Sequence, residues 1–381
     1  MELDLGPKAA AFRDELRQWL DATVPTERDE RRALARSDRW AELLAGQRLI
    51  CVAWPEEFGG RGLSGVEVAV LNEELARVRM PRVTRGMGES LVGPSIIVHG
   101  TDEQKARFLP RIVDGTDRYC QGFSEPDAGS DLASLQTRGV VDGDELVIDG
   151  QKVWTSWYWD ATIVFTLCRT DPDAPKHRGI SYVLVPVDQP GVEFRPIKQI
   201  SGESHFAETW YTAARAPLDN VIGGLNEGWR VSMTTLGNER GGSATTQHVQ
   251  HEKMWRDLVD EVRARGLDGD PLVRQRLAGF WSHVAIMRYQ GLRLLSALAT
   301  QAEPGPAASI SKMFWSEHQQ RLTEYAMEIL GPEGMLDGRW SRLLLGSRSH
   351  TIWGGTAEIQ RNIVGERVLG LPKEPSTEDD R

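Results

Sequence analysis

Glu239 is followed directly by Arg240, and the residues before it set the acid in an unusual place. Met233 and Leu236 precede Glu239 by six and three residues, so a helical repeat carries all three along one apolar face. A carboxylate in such surroundings has a raised pKa and suits a general base near neutral pH, with Arg240 opposing the shift. The plainer alternative is a solvated Glu-Arg pair followed by a helix irregularity at Gly241-Gly242.

Two further segments bring polar groups together. Ser124 and Ser130 flank a loop whose backbone offers donors at Ala128 and Gly129, although a serine-capped Pro-Asp-x-Gly turn has the same composition. Trp154, Thr155 and Ser156 end a strand; core packing accounts for the indole, but Thr-Ser directly after it is unusual for pure core. His248 and His251 stand three apart on a helix, and without a third ligand nearby they read as solvated or packed histidines. The 13 tryptophans read mostly as core or interface filler. There is no Gly-x-Gly-x-x-Gly after a strand, no P-loop, no His-Glu-x-x-His and no Gly-x-Ser-x-Gly.

Composition removes several classes. The three cysteines (Cys51, Cys120, Cys168) are too scattered for a disulfide frame or a zinc site. A formal charge of −10 argues against a nucleic-acid partner, while local arginines and helix N-termini still allow an anionic ligand. No apolar run approaches the roughly 20 residues of a membrane span. The acidic start lacks the features of a signal peptide, so the expected location is cytoplasmic.

A length of 381 residues calls for two or three domains that hold these groups in place. Residues 1–118 read as helical, with apolar periodicity over 11–20, 39–49 and 66–78, and Thr101-Asp102-Glu103-Gln104 fits a capping box. Residues 119–227 read as an antiparallel β-domain. Short β-branched runs at 146–148, 162–167, 180–187 and 192–197 are punctuated by Asp142-Gly143, Asp149-Gly150 and Pro190-Gly191, and the two Asp-Gly pairs favour tight hairpins. Residues 228–381 return to helix, with long stretches over 229–264, 271–299 and 309–330, a stop at Gly331-Pro332 and a disordered tail from 372. The fold class is therefore α+β.

The run Gln121-Gly122-Phe123-Ser124-Glu125-Pro126-Asp127-Ala128-Gly129-Ser130-Asp131 resembles the signature of the acyl-CoA dehydrogenase family. Five further segments resemble that family in order: Val92-Gly93-Pro94 leading to Gly100-Thr101, Gly150-Gln151-Lys152-Val153-Trp154-Thr155-Ser156, Gly228-Trp229, Asn238-Glu239-Arg240, and Gly354-Gly355-Thr356-Ala357-Glu358-Ile359-Gln360-Arg361-Asn362. The resemblance covers nearly the whole chain. It implies a helical N-terminal domain, a middle β-domain and a C-terminal four-helix bundle, FAD as cofactor, and a homotetramer or homodimer. It also implies that Ser124 and Ser130 bind flavin, with Ser130 reaching substrate as well. Trp154, Thr155 and Ser156 would cover one flavin face and exclude water from it.

In many members of the family the α-proton is taken by a carboxylate directly before Gly-Thr in the last motif. That position is Gly354 here. A smaller group, including the isovaleryl and long-chain enzymes, carries the base on an earlier helix before an arginine, which matches Glu239 with Arg240 toward the substrate. Gly354 would then serve through its backbone N–H on the thioester carbonyl, and its missing side chain would widen the pocket. Glu328, Gly331, Thr356 and Glu358 match FAD-contacting positions, the first two across a subunit interface. Glutamine is usual where this chain has Glu328 and often where it has Glu358. The usual Arg-x-x-Phe-Gly segment is absent, leaving Arg274 as a substitute pyrophosphate contact. The implied activity is α,β-dehydrogenation of an acyl-CoA or acyl-carrier thioester, with electron-transfer flavoprotein as acceptor. Alternatives are a flavin oxidase or oxygenase on the same fold, and a non-catalytic subunit of a heteromer.

Overall fold

The computed structural model describes residues 6–241, 247–299, 306 and 308–373; the side chains of 239–241 and 298–299 lie outside that description. The chain forms two compact units, Leu5–Glu239 and Arg240–Arg381.

The first unit opens with six helices: α1 (Gly6–Thr23), α2 (Arg28–Ala35), α3 (Asp38–Gly46), α4 (Gly65–Arg77), α5 (Gly93–His99) and α6 (Asp102–Asp114). Their starts follow local chemistry. Ser64 and Glu67 form a reciprocal capping box on α4, and Thr101 and Gln104 form the expected one on α6. Gln104 does more than cap. Its amide also donates to the carbonyls of Asp219 and Val221, at 2.9 Å each, and so ties α6 to the sheet.

The sheet follows: β1 (Tyr119–Gly122), β2 (Arg138–Asp142), β3 (Glu145–Ser156), β4 (Ile163–Arg169), β5 (Ile180–Pro186), β6 (Val192–Ile197), β7 (Phe206–Pro217) and β8 (Val221–Ile222). They are ordered β6-β7-β3-β2-β4-β5-β8, with β1 beside β4. Two expectations need correction. The sheet is not wholly antiparallel, because β1 runs parallel to β4 over Tyr119–Gly122 and Ile163–Thr166. Alternation of side chains marks a strand but carries no information on its direction. Asp149-Gly150 is not a hairpin but a register shift inside β3. There Gly150 has φ +149°, and a Cβ would stand 2.8 Å from the Thr137 Cα, while the Asp149 carboxylate accepts from the Ala213 N–H at 2.7 Å. Asp142-Gly143 does open the hairpin between β2 and β3, with Gly143 at φ +65°. Leu146, Ile148, Val164, Val183 and Ala214 form the core beneath the sheet.

Helix α7 (Gly228–Gly241) runs to the end of this unit. The helical stretch expected over 229–264 is helical as far as Gly241 and again in α8 (Gln247–Ala264), and residues 242–246 lie outside the described residues. The second unit continues with α9 (Pro271–Ala299), α10 (Ala308–Leu330), α11 (Arg339–His350) and α12 (Ala357–Ile363). Met254, Leu258 and Val262 of α8 recur every fourth residue and pack with Leu277 and Phe280 of α9, Leu322 and Tyr325 of α10, and Trp340 of α11. Gly331, at φ +57°, stops α10 where expected. The tail from 374 lies outside the described residues. Among the described residues no helix is long and apolar enough to cross a membrane.

Candidate active site

The loop after β1 is built around Glu125. This carboxylate is buried, accepts from the backbone N–H groups of Gln136 (2.7 Å) and Thr137 (2.8 Å), and meets the Lys152 ammonium at 2.8 Å. Lys152, wholly buried on β3, also donates to the Phe123 carbonyl at 3.1 Å. Burial by itself would raise the Glu125 pKa, but the Lys152 charge and these hydrogen bonds hold it below the usual carboxylate value. Neither residue stands out from the sequence as functional. Both lie inside the quoted motifs, and a lysine in a β-branched strand was the available signal. Glu125 and Ala128 exchange backbone hydrogen bonds, which leaves Gly129 and Ser130 exposed at the tip and Ser124 half-buried.

The end of β3 lies beside this loop, because the Val153 N–H donates to the Ser124 carbonyl at 2.9 Å. A second register shift, between Lys152 and Thr155, breaks the in-out alternation. Trp154 takes φ +64° and turns its indole outward, 57% exposed. Thr155 turns inward, and its hydroxyl pairs with that of Thr209 at 2.7 Å. Ser156 is half-buried. Thus Ser124 and the Trp154 turn are brought together, with Ser130 exposed further along the same loop, while the Thr155 side chain faces inward.

On α7 the buried face is Val231, Ser232 and Thr235, with the Thr235 hydroxyl 2.8 Å from that of Ser95 on α5. Met233 is 40% exposed. The expected apolar row through Met233 and Leu236 is therefore not the packed face within this unit. Periodicity identifies an apolar stripe, not what covers it. Glu239 and Arg240 are in the last turn of α7, and their side chains lie outside the described residues.

In the second unit, Gly354 and Gly355 have φ of +64° and +90°. Their carbonyls are held from both sides. The Gln360 amide donates to Gly354 at 2.9 Å, and the largely buried Lys312 ammonium donates to Gly355 at 2.8 Å. Sequence reading missed Lys312 because α10 carries many polar and charged residues, among which one lysine does not stand out, and because the carbonyl it holds is 43 residues away. The Thr356 hydroxyl caps α12 by accepting from the Ile359 N–H at 3.2 Å. Glu358 is exposed in the first turn, where its own backbone N–H, then Thr356, lowers its pKa. Glu328 is exposed near the end of α10, one turn before Gly331. Arg274, in the first turn of α9, is exposed and donates to the Asp268 carbonyl at 3.3 Å. His251 is buried against Trp315 and His318, the packed alternative of the two considered for it.

Comparison with known proteins gives this arrangement its context. Family models for the acyl-CoA dehydrogenase N-terminal, middle and C-terminal domains match residues 6–116, 120–212 and 226–369. The acyl-CoA dehydrogenase IpdE1 of Mycobacterium tuberculosis is 43% identical over 378 residues, covering 95% of this chain and 98% of that protein. Among solved structures, the Tcur3481-Tcur3483 steroid ACAD superposes with a TM-score of 0.81 at 33% identity, covering 98% of this chain and 100% of that one. The ChsE4-ChsE5 complex from Mycobacterium tuberculosis gives 0.79 at 32% identity, with the same coverage. With motifs, three-part fold and relatives in agreement, this chain belongs to the acyl-CoA dehydrogenase family of FAD-dependent oxidoreductases acting on CH–CH bonds.

Proposed function

We propose that this protein α,β-dehydrogenates a bulky, ring-bearing acyl thioester, with Glu239 as the base that removes the α-proton. The observation that carries the reading is the glycine at position 354, in left-handed backbone, where many members of the family have the carboxylate. Glu239 on α7 is then the acid that the motif pattern supplies. Thioester polarisation acidifies the α-carbon, and a carboxylate within hydrogen-bond reach accepts its proton. The Gly354 N–H, in a peptide segment steadied by Gln360 and Lys312, is assigned to the thioester carbonyl. Arg240 and Ser130 are assigned to the substrate.

The donor chemistry of residues 124–131 fits FAD. The loop offers serine hydroxyls, open space beside Gly129 and an exposed indole next to it. Bound FAD supplies the hydride acceptor. Ser124, Ser130, Trp154 and Ser156 are assigned to holding it, with Thr155 acting through its backbone. Thr356, Glu358, Arg274, Glu328 and Gly331 are assigned to FAD as well. Domain limits of 1–118, 119–227 and 228–381 belong to the same reading. A wide pocket is supported by the missing side chain at 354 and by similarity to Tcur3481-Tcur3483, a steroid ACAD.

The test is Glu239→Gln, which keeps shape but loses the basic oxygen. It should retain FAD and slow anaerobic flavin reduction by the best thioester about 1,000-fold or more. Near-normal reduction removes Glu239 from the mechanism. Electron-transfer flavoprotein is the proposed acceptor and a homotetramer or homodimer the proposed assembly. A second assembly, with a different chain, is favoured by the likeness to Tcur3481-Tcur3483 and to the ChsE4-ChsE5 complex, each named for a pair of proteins. Native mass and flavin content of the chain expressed alone separate the two. A yellow homo-oligomer supports the first, and an apoprotein that gains FAD only with another chain supports the second.

A further inference from the structure

We infer that the buried Lys152–Glu125 ion pair is a positioning device that locks the loop of residues 124–131 to the Trp154 bulge and thereby sets how FAD is received. The inference rests on the assignment of these two segments to the cofactor.

A buried ion pair is a poor way to gain stability, because desolvation offsets most of the attraction, and apolar groups of similar volume often serve the fold as well. Its use here is better explained by geometry. Lys152 is wholly buried, and its ammonium reaches both the Glu125 carboxylate at 2.8 Å and the Phe123 carbonyl at 3.1 Å. The Glu125 carboxylate in turn accepts from Gln136 and Thr137, so it closes the loop across its own base. Immediately beside the pair, the Val153 N–H donates to the Ser124 carbonyl at 2.9 Å. Side-chain and backbone bonds from Lys152 and its neighbour thus converge on the base of the loop.

The bulge gives the pair its consequence. In a regular strand Lys152 and Trp154 would share a face. Here Lys152 points in and Trp154 points out, because the register shifts between Lys152 and Thr155 and Trp154 adopts φ +64°. A left-handed tryptophan persists only when its surroundings over-determine it. The inward anchor is Lys152 before it and Thr155, bonded to Thr209, after it. The outward group is the indole assigned to the flavin. Loosening the anchor should therefore alter the loop hydroxyls and the indole together, with little loss of the fold.

The experiment compares wild type with Glu125→Gln/Lys152→Met, which removes both charges at near-constant volume and leaves no unpaired charge, while freeing the Phe123 carbonyl and one of the two N–H groups that Glu125 accepts from. Each protein is stripped of flavin and melted, then titrated with FAD by tryptophan fluorescence, and the visible circular dichroism of bound flavin is recorded. The double variant should melt a few degrees below wild-type apoprotein but still fold, and should bind FAD at least about tenfold more weakly and with an altered dichroism band. A merely structural pair would lower melting without touching the dichroism of the flavin that still binds. A folded double variant with wild-type affinity and dichroism overturns the inference. Should the double variant not fold, Lys152→Arg and Glu125→Asp decide, since they keep both charges and change only reach. Shifted dichroism and affinity in either support the positioning role, and wild-type values in both overturn it. Wild-type protein that binds no FAD would instead overturn the assignment of these segments to the cofactor.

Discussion

In the proposed mechanism, the glycine at position 354 is what moves the base to Glu239. Left-handed backbone at φ +64° suits glycine and costs another residue about 1–2 kcal/mol. A carboxylate can be put back there at modest conformational cost. If Glu239 and position 354 approach one α-carbon, Glu239→Gly with Gly354→Glu should recover part of the rate lost in Glu239→Gly. Recovery should be incomplete, since misplacement of about 1 Å can cost roughly 100-fold. The new side chain also narrows the pocket, so short straight acyl chains should recover better than bulky ones. Anaerobic flavin reduction across chain lengths, with bound FAD verified first, measures this. A double variant that holds FAD but is as inert as Glu239→Gly with every thioester would contradict the shared carbon. The glycine at 354 and the Glu-Arg pair were both legible in the sequence. The clamps on the Gly354-Gly355 carbonyls were not, because Lys312 is 43 residues from the Gly355 carbonyl it holds.

Among elements, α6 shows how a local signal acquires a long-range duty. Thr101 only caps the helix, and Thr101→Ala should cost about 1 kcal/mol. Gln104 closes the same box but also satisfies two carbonyls at the start of β8, 115 and 117 residues away. Its truncation to alanine strands buried acceptors and should cost about 2–3 kcal/mol. Urea midpoints of the two variants measure the order, and equal losses would show that the link from α6 to the sheet adds nothing. The capping box could be read from four residues in a row. Its second function could not, because nothing in residues 101–104 says that a strand's loose end comes to lie beside them.

Across the molecule, buried histidines should govern acid stability. His251 and His318 are almost wholly buried, and burial pushes their pKa values down to about 4 and about 3; other rings nearby add to the effect, His350 on the first and His251 and His283 on the second. The helix partners facing His318 include His283, whose Nδ1 is 3.3 Å from its own, and Arg321 one turn along α10. A folded pKa below the unfolded value of about 6.5 leaves full stability above that pH. As pH falls toward 4 the unfolded chain takes up protons that the folded chain refuses, and stability is lost. Two such groups give a slope of up to about 3 kcal/mol per pH unit. His318→Gln should flatten the melting profile between pH 4.5 and 6 by about half of that slope. An unchanged profile would place acid lability elsewhere. FAD acts at the same scale. Saturation at about 100 times Kd should stabilise the protein by about 2.7 kcal/mol, read as a higher Tm in holoprotein than in apoprotein. Equal melting of the two forms would argue against a tight flavin site in the folded chain.

The sequence by itself determined the alternation of helical, β and helical texture, the caps and stops of α6 and α10, and the family, because these are written in short runs and in motif order. Periods of 3.6 and 2, a capping box and a glycine at a helix end are local properties, and a motif is a string. Tertiary structure alone decided the parallel β1–β4 pairing, the bulges at Asp149-Gly150 and Trp154, and the burial of Glu125 against Lys152. It also decided that the packed face of α7 is Val231, Ser232 and Thr235 and not the more apolar row through Met233. Each of these depends on which distant backbone arrives alongside. Side-chain pattern states how much surface must be covered, and only the fold states by what.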